Sequence, residues 1–273
     1  MTAESCVRPL VRDGHLLLLH TSERERESGL ADWVRQGLER QEKIIYVESG
    51  EAADRPLLRV LDEHGIDGAT AVRDGQLHRL GPDRFYPPGG WVDVARDALA
   101  RGFRRVRVTG DARTALRVMS QERHLGTEQE VGDVCRSLPV SVLCLYDAAS
   151  VSNQHLDQIV ASHLEGIFER QLRMVSGAGG YVLDGEVDLD NEDLFGRILG
   201  QAAGRDPRTL RLDLAGLSFL SVGGARALVD VTRDYRQGGG VLRLESPRAT
   251  VTWLLRTLRI DEQAGIELTG VGA

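Results

Sequence analysis

The stretch LSFLSVGGARAL, residues 217–228, joins three structural signals. Leu217, Phe219 and Leu220 read as the apolar end of a strand. Ser221 and the glycine pair at 223–224 read as a tight loop and a helix cap. Ala225, Ala227 and Leu228 then start a helical stripe. Outward from this unit the same alternation continues. Upstream lie a strand (YVLDGEVDL, 181–189), a helix (NEDLFGRILGQAA, 191–203) and a strand (LRLDLAG, 210–216). Downstream, the helix GGARALVDVTRDYRQGG (223–239) is followed by the strand VLRLES (241–246) and the helix ATVTWLLRTLR (249–259). Strands alternating with helices predict an α/β domain with a mainly parallel sheet.

The N-terminal part carries the same pattern at larger scale. HLLLLH (15–20), KIIYVES (43–49), QLHRL (76–80), RRVRVTG (104–110) and VSVLCLYD (140–147) read as strands, and the amphipathic stretches between them as helices. The helix RPLLRVLDEHG (55–65) closes at Gly65, a residue suited to a left-handed cap. From about 153 to 173, Leu156, Ile159, Val160, Leu164, Ile167 and Leu172 fall on one stripe and predict a long helix. SGAGG (176–180) is the clearest flexible punctuation in the chain. The predicted domains are therefore 1–173 and 174–273, with the linker at Ser176–Gly180.

The composition, 41% hydrophobic and 27% charged, is that of a globular protein. A net charge of −7 argues against a dedicated nucleic-acid surface. Cys6, Cys135 and Cys144 have no CxxC spacing, and Cys144 lies inside an apolar run, as a buried thiol would. No segment has the length and apolarity of a signal peptide or a membrane span, so the expected location is the cytoplasm. The seven histidines show no HxxxH or HExxH pattern, and His15 and His20 project to opposite strand faces, so no metal is expected. No other cofactor is expected.

The series DGEVDL (184–189), LRLDLAGLSFL (210–220), ALVDVTRDYRQGGGVLRLESP (227–247) and LRTLRID (255–261) resembles the STAS domain of bacterial anti-sigma factor antagonists, over roughly 172–270. That resemblance implies a partner-binding switch loop formed by Ser218, Ser221, Val222, Gly223 and Gly224. In the family a phosphorylated residue stands just before the glycine that opens the helix. Here that glycine is Gly224, so the acceptor position is Gly223, which has no hydroxyl. Ser221, where the family usually has aspartate, is the remaining candidate phosphosite. Its other reading is a helix N-cap or a loop hydrogen bond.

WVRQGLERQEKIIYVES (33–49), GFRRVRVTGDARTAL (102–116) and LPVSVLCLYD (138–147) resemble segments of the MEDS domain, a sensory module often joined to STAS, over most of 10–170. The same segments are similar to RecA- and KaiC-like ATPases. There the first strand feeds a GxxxxGK[ST] phosphate loop. Here the corresponding stretch is HTSERERES (20–28), with no lysine, no glycine before Gly29, and Glu23, Glu25 and Glu27 to repel a triphosphate. The expected fold is thus a RecA/KaiC-like mainly parallel domain with a degenerate phosphate loop, followed by a small STAS α/β domain. Glu48 and Asp111 occupy positions where such ATPases keep catalytic or metal-binding carboxylates; without a phosphate cradle they read as solvated groups at strand ends.

Strand C-terminal ends are the natural ligand crevice of such sheets. His20, Arg24, Glu48, Asp111 and Tyr146 fall near them and form a candidate pocket for a small polar or anionic signal, with Arg26 adding positive charge. The functional reading is a non-enzymatic regulator, akin to an anti-sigma factor antagonist. Its sensory domain controls or accompanies a STAS domain that binds a protein partner, an anti-sigma factor of the serine-kinase type. Two other classes stay open at this point: a divergent nucleotide-binding enzyme using Glu48 and Asp111, and a scaffold subunit of a larger signalling assembly.

Overall fold

The computed structural model describes residues 13–49, 55–177, 179–205 and 208–270. Cys6 lies outside them. The chain packs as two compact units, 1–151 and 152–273.

In the first unit β1 (His15–His20) leads into α1 (Glu23–Glu39) and β2 (Lys43–Val47). Two short helices, α2 (Leu57–Glu63) and α3 (Gly68–Arg73), precede β3 (Leu77–Leu80). Then come α4 (Pro82–Phe85), α5 (Gly90–Ala100), β4 (Val106–Asp111), α6 (Ala112–Val118), α7 (Gln121–Ser137) and β5 (Val140–Asp147). The sheet order is β1-β5-β4-β2-β3, and every pair is parallel. β1, β2 and most of β5 are buried throughout, which explains their unbroken apolar runs. Gly65, at φ +69°, ends α2 in the left-handed region, as its sequence position indicates. Arg107 is buried within β4; its guanidinium lies 4.1 Å from the Trp33 ring and bonds Glu42, so the charge is paired where it leaves water.

The second unit begins with α8 (Asn153–Ser162), then β6 (Gly166–Phe168), β7 (Leu172–Gly177), β8 (Gly180–Val187), α9 (Glu192–Arg205) and β9 (Thr209–Leu220). It continues through α10 (Val222–Asp230), α11 (Arg233–Gln237), β10 (Val241–Glu245), α12 (Ala249–Thr257) and β11 (Ile266–Thr269). The order is β11-β10-β9-β8-β7-β6, with β8 to β11 parallel and β6 and β7 antiparallel to their neighbours.

Two sequence expectations are corrected here. The helix predicted over 153–173 stops at Ser162, and Ile167, Phe168 and Leu172 are buried strand residues. Leu156, Ile159, Val160, Leu164 and Ile167 have the spacing of a helical stripe, but the β-branched and aromatic pair Ile167–Phe168 after Gly166 suits a strand better. SGAGG is not an interdomain linker. Gly177 pairs with Gly180, so the antiparallel ladder of β7 and β8 runs up to these glycines, and both strands lie in the second unit. Flexible composition marked a turn of one domain, and the compact units part instead at 151/152.

Candidate functional site

β1 ends at His20 and α1 begins at Glu23, so only Thr21 and Ser22 join them. The first turn of α1 is capped by its own side chains. Ser22 Oγ accepts from Glu25 N at 3.3 Å, and the Glu25 carboxylate accepts from Thr21 N at 2.8 Å and from its hydroxyl at 2.9 Å. This resembles a capping box, with the carboxylate reaching the residue before the N-cap instead of the N-cap itself. It consumes donors that a phosphate loop would offer to a nucleotide and places carboxylates at the helix end that an anion would otherwise approach.

The residues expected to form one crevice divide into separate groups. Asp111, expected to be solvated, is buried: Arg26 Nε donates to it at 2.7 Å, and Arg113 Nη2 at 3.3 Å. Burial pushes the Asp111 pKa up, but the two arginines outweigh it and hold the carboxyl below its ordinary value. His20 is buried too, and burial lowers its pKa against the opposing pull of Asp111. Neither of its ring nitrogens has a hydrogen-bond partner among the described residues. Glu48 is half-buried and paired with Arg79 at 2.9 Å. Arg24 is exposed on α1.

A cavity of this unit lies under α4 and α5, against β4, β5 and α7. Phe85, Tyr86 and Trp91 supply an aromatic wall, with Phe85 edge-on to Tyr86 at 4.9 Å and stacked with Trp91 at 6.3 Å. Asp111, His124, Glu128 and Cys144 supply its polar positions. Of the expected pocket residues, Asp111 alone is in the lining; Tyr146 stands behind it.

A buried polar cluster lies at the polar side of this cavity. Glu128 Oε2 is 2.9 Å from His15 Nε2 and 3.4 Å from Cys144 Sγ, and Cys144 Sγ is 3.4 Å from His15 Nε2. The Tyr146 hydroxyl donates to Glu128 Oε1 at 2.5 Å and lies 2.8 Å from His124 Nε2. Burial, and then the neighbouring Glu128 carboxylate, pushes the Cys144 thiol and the Tyr146 phenol well above their ordinary pKa values. Topology explains the grouping. His15 is level with Val142 in the parallel register, so Val142, Cys144 and Tyr146 share its face of the sheet. His124, Glu128 and Val131 form one side of α7. The sequence signal was a His-x3-Glu pair on a helix preceding a Cys-x-Tyr pair on a strand. A search restricted to His–His spacings passes over it.

In the second unit, Ser221 is the N-cap of α10, accepting from Gly224 N at 2.9 Å. The helix therefore opens at Val222, two residues before the expected Gly224. The Ser221 hydroxyl donates to Glu192 Oε2, in the first turn of α9, at 2.8 Å. The Glu192 carboxylate fills the space that a side chain on Gly223 would need. Gly224 is held from the other side, where a Cβ would come within 2.6 Å of Val187 and 2.9 Å of Leu220. Ser218, on β9, donates to the Gly185 carbonyl at 2.9 Å. Phe219 and Val222, beside the loop, are exposed.

Fold and sites together define a two-module α/β protein: a parallel-sheet domain with a lined cavity, then a smaller domain in which a glycine pair opens the helix after β9. The chain belongs to the MEDS family, the methanogen/methylotroph DcmR sensory domain, which it matches over residues 14–164, and residues 169–269 match the STAS domain. The MEDS domain has the mainly parallel sheet expected from sequence, and the STAS domain is the smaller α/β module behind it. A sensory domain joined to a STAS domain is the make-up of a signalling regulator.

Solved structures similar to the chain include a KaiC-like protein of the hyperthermophilic archaeon Pyrococcus horikoshii OT3, at 14% identity over 63% of this chain and 78% of that one, with a TM-score of 0.45. An uncharacterised Pyrococcus horikoshii protein in complex with an unknown peptide matches at 14% identity over 63% of this chain and 82% of its own, TM-score 0.43. A protein assigned as an anti-sigma factor antagonist in Thermotoga maritima matches at 16% identity over 36% of this chain and 85% of its own, TM-score 0.31. No curated protein matches the chain. Among the described residues, no helix is long and apolar enough to cross a membrane.

Proposed function

We propose that the chain is a non-enzymatic cytoplasmic regulator in which the MEDS domain senses a small molecule and the STAS domain captures a protein partner, an anti-sigma factor of the serine-kinase type. In this reading the STAS domain docks through the β9–α10 loop without being switched by phosphorylation there. The observation that carries it is the start of α10. Position 223 has no hydroxyl and no room for one while Glu192 stays in place, and the Ser221 hydroxyl is engaged as a cap and as a donor to Glu192. A kinase would have to break both bonds and approach past a carboxylate, against like charge. The exposed Phe219 and Val222 beside the loop supply apolar contact area for a partner.

The test is affinity capture from a native lysate with the full chain as bait, followed by intact-mass measurement after incubation with ATP and the captured partner. The reading expects a serine-kinase-type anti-sigma factor in the captured fraction, bound equally well with and without ATP, and no added phosphate. Stoichiometric phosphate on Ser221 would overturn the unswitched loop. Capture unaffected by Phe219→Asp and Val222→Asp would overturn the docking site.

A further inference from the structure

We propose that the second unit carries a surface for a second copy of this chain, in which the acidic knob around Leu189 of one copy seats on the basic face around Trp253 of another.

Leu189 and Trp253 are the two most exposed large hydrophobic side chains among the described residues, at 84% and 67%. Leu189 stands at the tip of the connection between β8 and α9. The Asp188 amide donates to Asn191 Oδ1 at 3.0 Å, and the Asp190 amide to Asp188 Oδ1 at 2.9 Å. Asn191 is buried and ties the turn down by donating to the Glu186 carbonyl at 3.0 Å. The leucine is therefore held out on a turn whose shape is fixed before any contact, so little ordering entropy opposes binding. Asp188, Asp190, Glu192 and Asp193 surround it in sequence, and the one cation near them is Arg170, 4.0 Å from Asp190.

The face around Trp253 has the opposite character. On α12, Val251, Thr252 and Leu255 are buried, so Trp253 points away from the core. Arg256, one turn further on, is exposed and has no ion pair among the described residues. Arg248, at the helix start, is also exposed, with its Nε spent on the Ala215 carbonyl at 3.0 Å. By contrast, Arg233 and Arg259 are each paired with a nearby carboxylate. One surface thus offers a leucine with unneutralised negative charge, the other a tryptophan with unneutralised positive charge. Tryptophan with arginine beside it is the composition of an interface anchor, and opposite fields steer such surfaces together. Both are open to solvent in the folded unit, so they do not meet within one copy, and every copy carries both halves.

The contact is small, of the transient class, so association is reversible and grows with concentration. It also bears on the function proposed above. Val187 is level with Leu220 at the end of β9, so Leu189 emerges beside the β9–α10 loop. A copy seated on Leu189 shields that loop, and self-association then competes with partner capture.

The experiment is sedimentation equilibrium of the tag-free full chain over a range of concentrations, at about 0.1 M and about 1 M salt, where the screening length falls from about 10 Å to about 3 Å. Acrylamide quenching is measured alongside. Trp33 and Trp91 are buried, so the accessible tryptophan fluorescence is that of Trp253. The expected result is a mass that rises with concentration and falls back toward the monomer in high salt, with Trp253 shielded as the chain associates. Leu189→Ser and Trp253→Ala alter exposed side chains and leave the fold intact. Each should weaken association about 10–30-fold. The double variant should be no weaker than the weaker single variant, because both changes remove one contact. A wild-type chain that stays monomeric, or that associates with Trp253 still open to the quencher, would overturn the proposal. Additive losses would also overturn it, by placing the two side chains in different contacts. A monomer whose Trp253 is shielded only by vesicles of anionic lipid would overturn it in favour of a membrane surface. Only this chain is measured, so a failure here leaves the partner reading standing.

Discussion

At Asp111 two arginines outweigh burial, and the sign of that balance sets a pH dependence. The carboxyl is held below its ordinary pKa in the folded chain, so its contribution to stability is fully present above the unfolded value of about 3.9 and is lost as pH falls through the folded value. Asp111→Asn leaves Arg26 buried with its 2.7 Å partner removed. Breaking one side of such a pair costs about 3–5 kcal/mol. Chemical denaturation should therefore show a large loss at pH 7 that shrinks toward pH 3. An equal loss at both pH values would mean that Asp111 acts through packing alone. In the second unit, Gly223→Ser can be accommodated by swinging the end of the Glu192 side chain away, which breaks its bond from Ser221. That bond involves a charged acceptor, so the expected cost is about 1.5–3 kcal/mol. Adding Glu192→Ala clears the space, and the serine should then cost little further. Gly224→Ala has no such relief, because Val187 and Leu220 are core side chains, and about 1–3 kcal/mol is expected from overpacking. Thermal melts of Gly223→Ser, Glu192→Ala, the double variant and Gly224→Ala separate these cases.

Among the elements, those with one dominant signal were readable from sequence, and those depending on pairing were not. β1, β2 and β5 are unbroken apolar runs because they are buried on both faces, and a run of that kind announces itself. β6 and the first two residues of β7 were read as helix because Ile167 and Leu172 read as a continuation of the stripe begun by Leu156, Ile159 and Val160. Only the antiparallel register with β8 distinguishes the two, and that register is a long-range fact. The candidate site was half readable for the same reason. Asp111 and Tyr146 stand near strand ends, where ligands are sought, but His15, His124, Glu128 and Cys144 meet only through the β1–β5 register and one side of α7. The β1–α1 junction carries no GxxxxGK[ST] sequence; its brevity and its self-capping were not visible in the residue types. With two residues between strand and helix and the capping donors already used, titration calorimetry with ATP and magnesium should give no binding heat. Micromolar binding abolished by Glu48→Gln would instead support the enzyme reading.

At the scale of the whole molecule, the family matches and the packing divide the chain at different places. The MEDS match ends at 164 and the STAS match begins at 169, whereas the compact units part at 151/152. The difference is α8. It packs on α9, Arg197 bonds Asp157 at 2.6 Å and the Asn153 carbonyl at 3.2 Å, and Arg205 bonds the Ala161 carbonyl at 2.5 Å. A STAS fragment beginning at 169 loses this helix and the edge strand β6, and exposes the side of α9 that α8 covers. A fragment beginning at 152 keeps both. The expected difference in unfolding free energy is about 2–4 kcal/mol, the scale of one or two apolar side chains moved between buried and exposed states. Urea unfolding of the two fragments measures it, with the longer one showing the higher midpoint. Equal midpoints would mean that α8 and β6 contribute nothing to the second unit and that the family boundary is also the physical one. Limited proteolysis of the full chain gives a second reading of the same division. Ser176 pairs with Tyr181 and Gly177 with Gly180 in the β7–β8 ladder, and a protease needs backbone free of such pairing, so cleavage at these residues should be slow. Rapid cutting there, leaving two folded fragments, would restore that stretch as the linker and move the boundary into the β7–β8 turn.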